Sequence, residues 1–117
     1  MLTDFYTVET VAGQDEEYTC VIRLNPEHNV YKGHFPGMPV VPGVCMLRIV
    51  KECVSMVLNT PMRFQAINSC KFLSVVNPLE HGILTFAFSL GNTNRLQAIV
   101  SAGETTVLKL KATIVAE

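Results

Sequence analysis

The chain has 117 residues, of which 49% are apolar and 16% charged, with a net charge of −1, so we predict one globular domain spanning residues 1–117. Its nine lysine and arginine residues are scattered, which argues against nucleic acid as a partner. We recognise no export signal and no apolar run long enough to cross a bilayer, so we expect a cytoplasmic protein that is not embedded in a membrane.

The first half of the chain predicts two strands followed by a loop and a helix. Residues 5–12 and 18–24 are rich in aromatic and β-branched side chains and are separated by a polar turn. A proline-rich loop then leads to a helix over 43–58, with Pro42 supplying the φ of a first turn. This helix is apolar around most of its circumference, so we expect other structure to wrap it.

The second half predicts four strands, over 64–76, 82–90, 95–101 and 105–116. The last strand alternates between apolar and polar residues, as a half-buried antiparallel strand should. We therefore predict an α+β fold in which an antiparallel sheet of about six strands curls around one long central helix.

The cysteines and histidines show no spacing typical of metal ligands, so we expect no metal site. We also expect no cofactor. We interpret the four cysteines as buried, reduced thiols. Two of the histidines, His28 and His81, lie in polar, turn-like stretches, and we expect them to be solvated and without a functional role. We also interpret Phe35, Phe72 and Phe88 as packing residues.

Three segments carry a resemblance to a known family: Gly33-His34-Phe35-Pro36-Gly37, Pro39-Val40-Val41-Pro42-Gly43-Val44, and Cys70-Lys71-Phe72 with Pro78. They resemble the β-hydroxyacyl-(acyl carrier protein) dehydratases of fatty acid biosynthesis, which have the hotdog fold. The resemblance implies substrate tunnels at the interface of a homodimer, a mixed hotdog dimer or a higher oligomer. It also implies acyl chains carried on the phosphopantetheine of acyl carrier protein.

The family removes water from 3-hydroxyacyl thioesters, which requires a base, an acid and donors for the thioester oxygen. The resemblance assigns the base to His34, whose ordinary pKa of about 6.5 leaves the imidazole largely neutral in a cytoplasm. It assigns a donor to the N–H of Gly43, because the first amides of a helix are unpaired and lie at the positive end of its dipole.

Arg48 departs from the family pattern, because the family has Glu or Asp at this distance from the histidine. Arginine stays protonated at neutral pH and cannot supply the proton for the leaving hydroxyl, a loss of about 10² to 10⁴ in rate if nothing replaces the acid. Arg48, Glu52 and Ser55 form the polar stripe of the helix. Arg48 and Glu52 could simply neutralise each other, Glu52 could serve as a displaced acid, or Arg48 could bind a carboxylate or phosphate.

Three hypotheses therefore stay open: a dehydratase, a catalytically impaired subunit of a mixed hotdog dimer, and either a non-enzymatic acyl-thioester binding protein or a hotdog thioesterase. Acyl carrier proteins are acidic, so cationic residues that converge in the fold could form a docking patch. The candidates are Arg63, Lys71, Arg95, Lys109 and Lys111. The alternative is that these residues are solvated on the strand faces.

Overall fold

The structure is a computed structural model that describes residues 4–32 and 39–117. Two strands, β1 (Tyr6–Gln14) and β2 (Glu17–Leu24), precede a short 3-10 turn at Asn29–Tyr31 and the helix α1 (Gly43–Leu58). Four more strands follow: β3 (Met62–Phe72), β4 (Ile83–Leu90), β5 (Arg95–Ala102) and β6 (Thr105–Ala116). A second 3-10 turn, Asn92–Asn94, joins β4 to β5.

The six strands form a single sheet in the order β1-β2-β4-β5-β6-β3, and each neighbouring pair is antiparallel. Tight turns connect β1 to β2 and β5 to β6. Gly103, with a φ of 61°, occupies the second of these turns, where a side chain would be strained. The predicted fold of six antiparallel strands and one long helix is therefore confirmed, with β1 and β3 at the two edges of the sheet.

One face of the sheet and the apolar face of α1 form a single core. The alternation predicted for β6 is confirmed, because its inward residues Leu108, Leu110, Ala112 and Ile114 are all buried. The helix, however, is not covered on every side in this single chain. Val44 near its start is 74% exposed and Met56 near its end is 42% exposed. One side of α1 therefore stays open between the two sheet edges.

The strand β3 ends four residues earlier than the prediction of 64–76. The Leu73 amide still bonds to the Val107 carbonyl, but the chain then turns away. Asn77 organises this turn, since its side chain accepts from the Leu79 amide and its carbonyl accepts from His81. The prediction ran too far because apolar residues continue past Phe72, whereas the Asx-type turn at Asn77 redirects the backbone.

Within residues 4–32 and 39–117 no helix is long and apolar enough to cross a membrane. In the same described ranges no group of three or more histidine, cysteine, aspartate or glutamate side chains is arranged to hold a metal ion.

Candidate active site

The candidate site lies at the N-terminal end of α1. Gly43 is the first residue of the helix, as predicted, and Pro42 caps it with a φ of −62° and a ψ of 141°. The incoming segment is anchored to the rest of the fold, because the buried Val41 donates its amide to the Val76 carbonyl at 2.9 Å. His34 lies outside the described residues, so its role stays a prediction.

The first amides of α1 are free to bind a ligand as far as the described residues show. The Pro42 carbonyl accepts from the amides of Cys45 and Met46, at 3.0 and 3.3 Å. The amides of Gly43 and Val44 have no acceptor among residues 4–32 and 39–117. Because a helix start carries a partial positive charge, these two N–H groups can stabilise a negatively charged oxygen.

Phe72, at the end of β3, lies directly against Gly43. A Cβ atom added at Gly43 would be 2.7 Å from the Phe72 Cζ atom and 2.8 Å from its Cε1 atom, closer than real Cβ contacts. A side chain at residue 43 would therefore require the Phe72 ring to move. The Phe72 ring is also 50% exposed, so the interpretation of Phe72 as a core packing residue was wrong, whereas Phe88 is buried as expected. Phe35 lies outside the described residues.

Arg48 and Glu52 lie one turn apart on α1, and their interaction is weak. The Arg48 Nε and Glu52 Oε2 atoms are 3.7 Å apart, and the Arg48 side chain remains 45% exposed. An exposed pair of this spacing contributes only about 0.2 to 0.5 kcal/mol. The predicted polar stripe is thus present, and the guanidinium faces a groove along the open side of the helix.

Glu52 makes its stronger contact with the sheet. Its Oε1 atom accepts a hydrogen bond from the Tyr6 hydroxyl of β1 at 2.6 Å, and its side chain is only 16% exposed. Burial, followed by the hydrogen bond to Glu52 and its charge, raises the pKa of Tyr6 above its usual value. Glu52 is also roughly 14 Å along the helix from Gly43, at 1.5 Å per residue. Within this chain the carboxylate is held by Tyr6 and Arg48.

The groove beside this pair has a volume of about 940 Å³ and runs between β1, the polar stripe of α1 and the start of β3. It contains both charge signs. Lys51, which lines it together with Arg48, lies 3.9 Å from the Glu117 carboxylate. Among the described residues, its lining has three acidic ones, Asp4, Glu52 and Glu117, and two basic ones, so the charges nearly balance and do not identify a ligand.

A buried tyrosine lies close to the helix start. Tyr31 is 8% exposed, its ring stacks on Phe5 with centroids 5.8 Å apart, and its hydroxyl has no partner in the described part of the chain. Burial raises the pKa of this hydroxyl, and the nearby Cys45 thiol adds to the effect. A buried donor without an acceptor costs free energy, so Tyr31 is a local source of instability.

Replacing Tyr31 with phenylalanine is expected to raise the free energy of unfolding by about 1 kcal/mol, because it removes a buried hydroxyl that has no acceptor among residues 4–32 and 39–117. The matched control is Tyr6→Phe, which removes a hydroxyl that donates to a carboxylate and should lower the stability by about 1.5 to 3 kcal/mol. Urea unfolding followed by circular dichroism measures both. A loss of stability in Tyr31→Phe would contradict the assignment of an unpaired hydroxyl.

The histidines outside the motif differ from expectation in one case. His28 was expected to be solvated, but it is partly buried: its Nδ1 atom accepts from the Val30 amide, and its ring meets Phe5 edge-on. It therefore caps the 3-10 turn at Asn29–Tyr31. His81 is exposed, as expected.

Among the cysteines, Cys20, Cys45 and Cys53 are buried as predicted, whereas Cys70 is only partly buried. The Cys53 thiol of α1 lies 3.2 Å from the Cys20 sulfur of β2, a contact that joins helix and sheet in the core. The hydrogen bond from Cys53 lowers the pKa of Cys20, while the same bond and then burial raise the pKa of Cys53.

Three residues, Tyr6, Phe72 and Tyr31, were not predicted to lie near the site, and they come from distant parts of the chain. Tyr6 is 46 residues from Glu52, and nothing in either local sequence indicates their contact. Phe72 lies in a segment that carries the family resemblance, which could have pointed to a place near the site. Tyr31 comes just before the glycine and histidine of the loop, and this position could have suggested that it lies close to the helix start.

In the part of the chain that the structure describes, the strand order and the one α-helix define a hotdog fold, and the comparison with solved structures agrees. The solved structure "The Dehydratase Heterocomplex ApeI:P from Xenorhabdus doucetiae" superposes with a TM-score of 0.79 at 21% identity, over 92% of this chain and 96% of that chain. The ApeI-like family, described as ApeI dehydratase, matches residues 10–110. The chain therefore belongs to the ApeI-like dehydratase family.

Curated relatives are similar over shorter stretches. The chain is 33% identical over 70 residues to 3-hydroxyacyl-(acyl-carrier-protein) dehydratase FabZ of Levilactobacillus brevis, covering 54% of this chain and 47% of that protein. It is 26% identical over 95 residues to the FabZ of Rickettsia akari, covering 74% of this chain and 57% of that protein. The chain thus spans about half the length of the curated relatives it matches.

Proposed function

We propose that the chain is a subunit of a hydro-lyase that removes water from 3-hydroxyacyl thioesters carried on acyl carrier protein. The observation that carries this proposal is the pair of unpartnered amides at the start of α1, within the described residues of a chain of the ApeI-like dehydratase family. The names of the FabZ relatives, which are 3-hydroxyacyl-(acyl-carrier-protein) dehydratases, support the choice of substrate.

In the proposed reaction His34 takes the proton from C2 of the acyl chain. The electron pair left on C2 spreads onto the thioester oxygen, which becomes negatively charged. The charge then returns to form the double bond between C2 and C3, and the C3–oxygen bond breaks to release hydroxide, which needs a proton. A neutral imidazole suits the first step, because a base must be unprotonated at the working pH.

The Gly43 amide would donate to the thioester oxygen as its charge grows. The donor is fixed before the reaction begins, because α1 and the Val41–Val76 hydrogen bond hold the backbone in place. A preorganised donor of this kind contributes about 10² to 10³ in rate. Phe72, which covers Gly43 on one side, would form one wall of the thioester site and limit the access of water.

The role of the amide can be separated from that of the glycine by comparing Gly43→Pro with Gly43→Ala, both in a Phe72→Leu background. Leucine lacks the ring atoms that a Cβ at residue 43 would meet. Proline is tolerated at the first helical position, and Pro42 already has the extended backbone that must precede it. Only the proline variant loses the N–H.

We expect Gly43→Pro to hydrate a crotonyl thioester about 10² to 10³ times more slowly than Gly43→Ala, measured as kcat/KM. Both variants should show similar thermal unfolding, since both add a Cβ at the same place. Equal rates in the two variants would mean that the Gly43 amide does not bind the developing oxyanion.

A second candidate function is a subunit of a mixed hotdog dimer in which the partner supplies the acid. The observation that favours it concerns Glu52, the acidic residue one turn from Arg48 on α1. Its carboxylate already accepts a hydrogen bond from Tyr6 and faces Arg48, so it is engaged within this chain. Arg48 itself cannot give up a proton at neutral pH. The similar structure from Xenorhabdus doucetiae is a dehydratase heterocomplex, which adds support to this candidate.

Product analysis separates these proposals from the remaining alternatives. A dehydratase interconverts the 3-hydroxyacyl and enoyl thioesters without releasing the free acid. Release of free acid would identify a hotdog thioesterase, and binding of the acyl thioester without turnover, even with a second hotdog chain present, would identify a binding protein.

A further inference from the structure

Three lysines that are far apart in the sequence come together on the outer face of the sheet. Lys71 of β3 pairs in register with Lys109 of β6, so the two side chains lie directly opposite each other on one face. Lys111 follows two residues later on the same face, about 7 Å from Lys109. Of the five cations that could have formed a patch, these three converge, and we call them the lysine patch.

The remaining two cations are placed differently. Arg95 pairs with Thr113, one step further along the same face from Lys111, and so extends the patch. Arg63 pairs with Val115 at the opposite end of β3, roughly 26 Å from Lys71 at 3.3 Å per residue. Arg63 is therefore outside the patch and provides a control on the same strand.

The lysine patch has no counter-charge among the described residues. All three lysines are exposed, and none forms an ion pair with an acidic side chain of residues 4–32 or 39–117. They line a shallow depression of about 630 Å³ whose one acidic lining residue, among those described, is Glu17. Glu17 is three strands away from Lys111, through Ser89 and Gln97, which corresponds to about 14 Å.

This arrangement is unfavourable for the isolated chain. Like charges directly opposite on neighbouring strands destabilise a sheet. An anionic partner would remove the repulsion. Ile99, which is 44% exposed, pairs with Lys109 and places an apolar side chain among the cations, an arrangement suited to contact with a protein surface.

The lysine patch is also adjacent to the candidate active site. Lys71 immediately precedes Phe72, and successive residues of a strand point to opposite faces of a sheet. Phe72 lies on Gly43 at the inner face, so Lys71 is on the outer face of the same strand end. A partner bound at the lysine patch would be held next to the place where the thioester is proposed to react.

We infer that the lysine patch, extended by Arg95, is the docking surface for the acidic acyl carrier protein that brings the thioester substrate. The inference rests on the proposed function and adds the location of carrier recognition to it. Charge complementarity of this kind accelerates encounter and weakens with added salt.

The test measures binding of a fluorescently labelled apo-acyl carrier protein, which carries no acyl group, by fluorescence anisotropy. The combined substitutions Lys71→Glu, Lys109→Glu and Lys111→Glu are expected to raise its Kd by at least about tenfold, because they turn attraction into repulsion. The control Arg63→Glu changes the same charge at the other end of β3 and should alter the Kd by less than about twofold. Circular dichroism confirms that each variant is folded, and the milder Lys→Gln triple variant replaces any that is not.

A kinetic measurement shows whether the lysine substitutions weaken docking of the carrier rather than the reaction itself. For the Lys→Glu variant, the KM for crotonyl-acyl carrier protein should rise about tenfold more than the KM for crotonyl-N-acetylcysteamine, which has no protein surface to recognise. Carrier binding that is unchanged in the variant, or that is absent from the natural chain, would overturn the docking surface. Preference of the natural chain for duplex DNA or anionic vesicles over the carrier would overturn it as well.

The failure of docking and the failure of the proposed function are distinguishable. If the natural chain hydrates both crotonyl thioesters but the lysine substitutions leave carrier binding intact, the docking surface is wrong and the dehydratase proposal stands. If the natural chain hydrates neither thioester, alone or with a second hotdog chain, the dehydratase proposal is wrong. Carrier binding that still depends on the lysines would then support the docking surface alone.

Discussion

Replacing His34 with alanine is expected to lower kcat for dehydration of a 3-hydroxybutyryl thioester by about 10² to 10⁴, the contribution of a well-placed general base. The natural chain should lose activity as the pH falls through about 6.5, because the imidazole is then protonated and can no longer accept a proton. This acidic limb of the pH profile should be absent in His34→Ala. The measurement is the initial rate of dehydration from about pH 5.5 to about pH 8, a range that spans the ordinary pKa of histidine.

The control for this substitution is His81→Ala, which removes an exposed imidazole from the turn after β3. It should change neither kcat nor the pH profile. Thermal unfolding of both variants shows whether a loss of activity reflects chemistry or a loss of folded protein. A His34→Ala variant that keeps its rate and its acidic limb would contradict the assignment of the base.

Replacing Arg48 with glutamate is expected to raise the activity of the chain on its own by about 10² to 10⁴, because it supplies the missing general acid. The reactive form then pairs a neutral imidazole with a protonated carboxyl group, so the rate should fall on both sides of a maximum and the pH profile should become bell-shaped. Arg48→Gln, which has no acidic proton to transfer, should stay at the level of the natural chain.

The new carboxylate would lie one turn from Glu52, where two like charges repel each other. The double variant Arg48→Glu with Glu52→Gln removes this repulsion and keeps a hydrogen-bonding partner for Tyr6. If neither glutamate variant exceeds Arg48→Gln, position 48 does not contact the reacting atoms. If the natural chain reaches the rate of the glutamate variant once a second hotdog chain is added, the acid comes from that partner.

The sequence predicted the elements that depend on local pattern. The helix at Gly43–Leu58 followed from its apolar residues and its flanking prolines, and the alternation of β6 indicated the buried face of that strand. The end of β3 was predicted poorly, because apolar residues continue past it while the turn at Asn77 breaks the strand.

The contacts that shape the site depend on pairs of residues far apart in the chain, and these could not be predicted. The Tyr6–Glu52 hydrogen bond and the Cys20–Cys53 contact both join a strand of the first hairpin to α1. No local rule relates such positions, since their approach is decided by how the sheet curves over the helix. The convergence of Lys71 with Lys109 likewise required the strand register.

The close contact between Gly43 and Phe72 also restricts how this family member can vary. Any side chain at residue 43 would occupy space that the aromatic ring now fills. A side chain at residue 43 would therefore require the Phe72 ring to move, or a smaller residue to arise first at position 72. Positions 43 and 72 are therefore expected to vary together during evolution, although they are 29 positions apart in the chain.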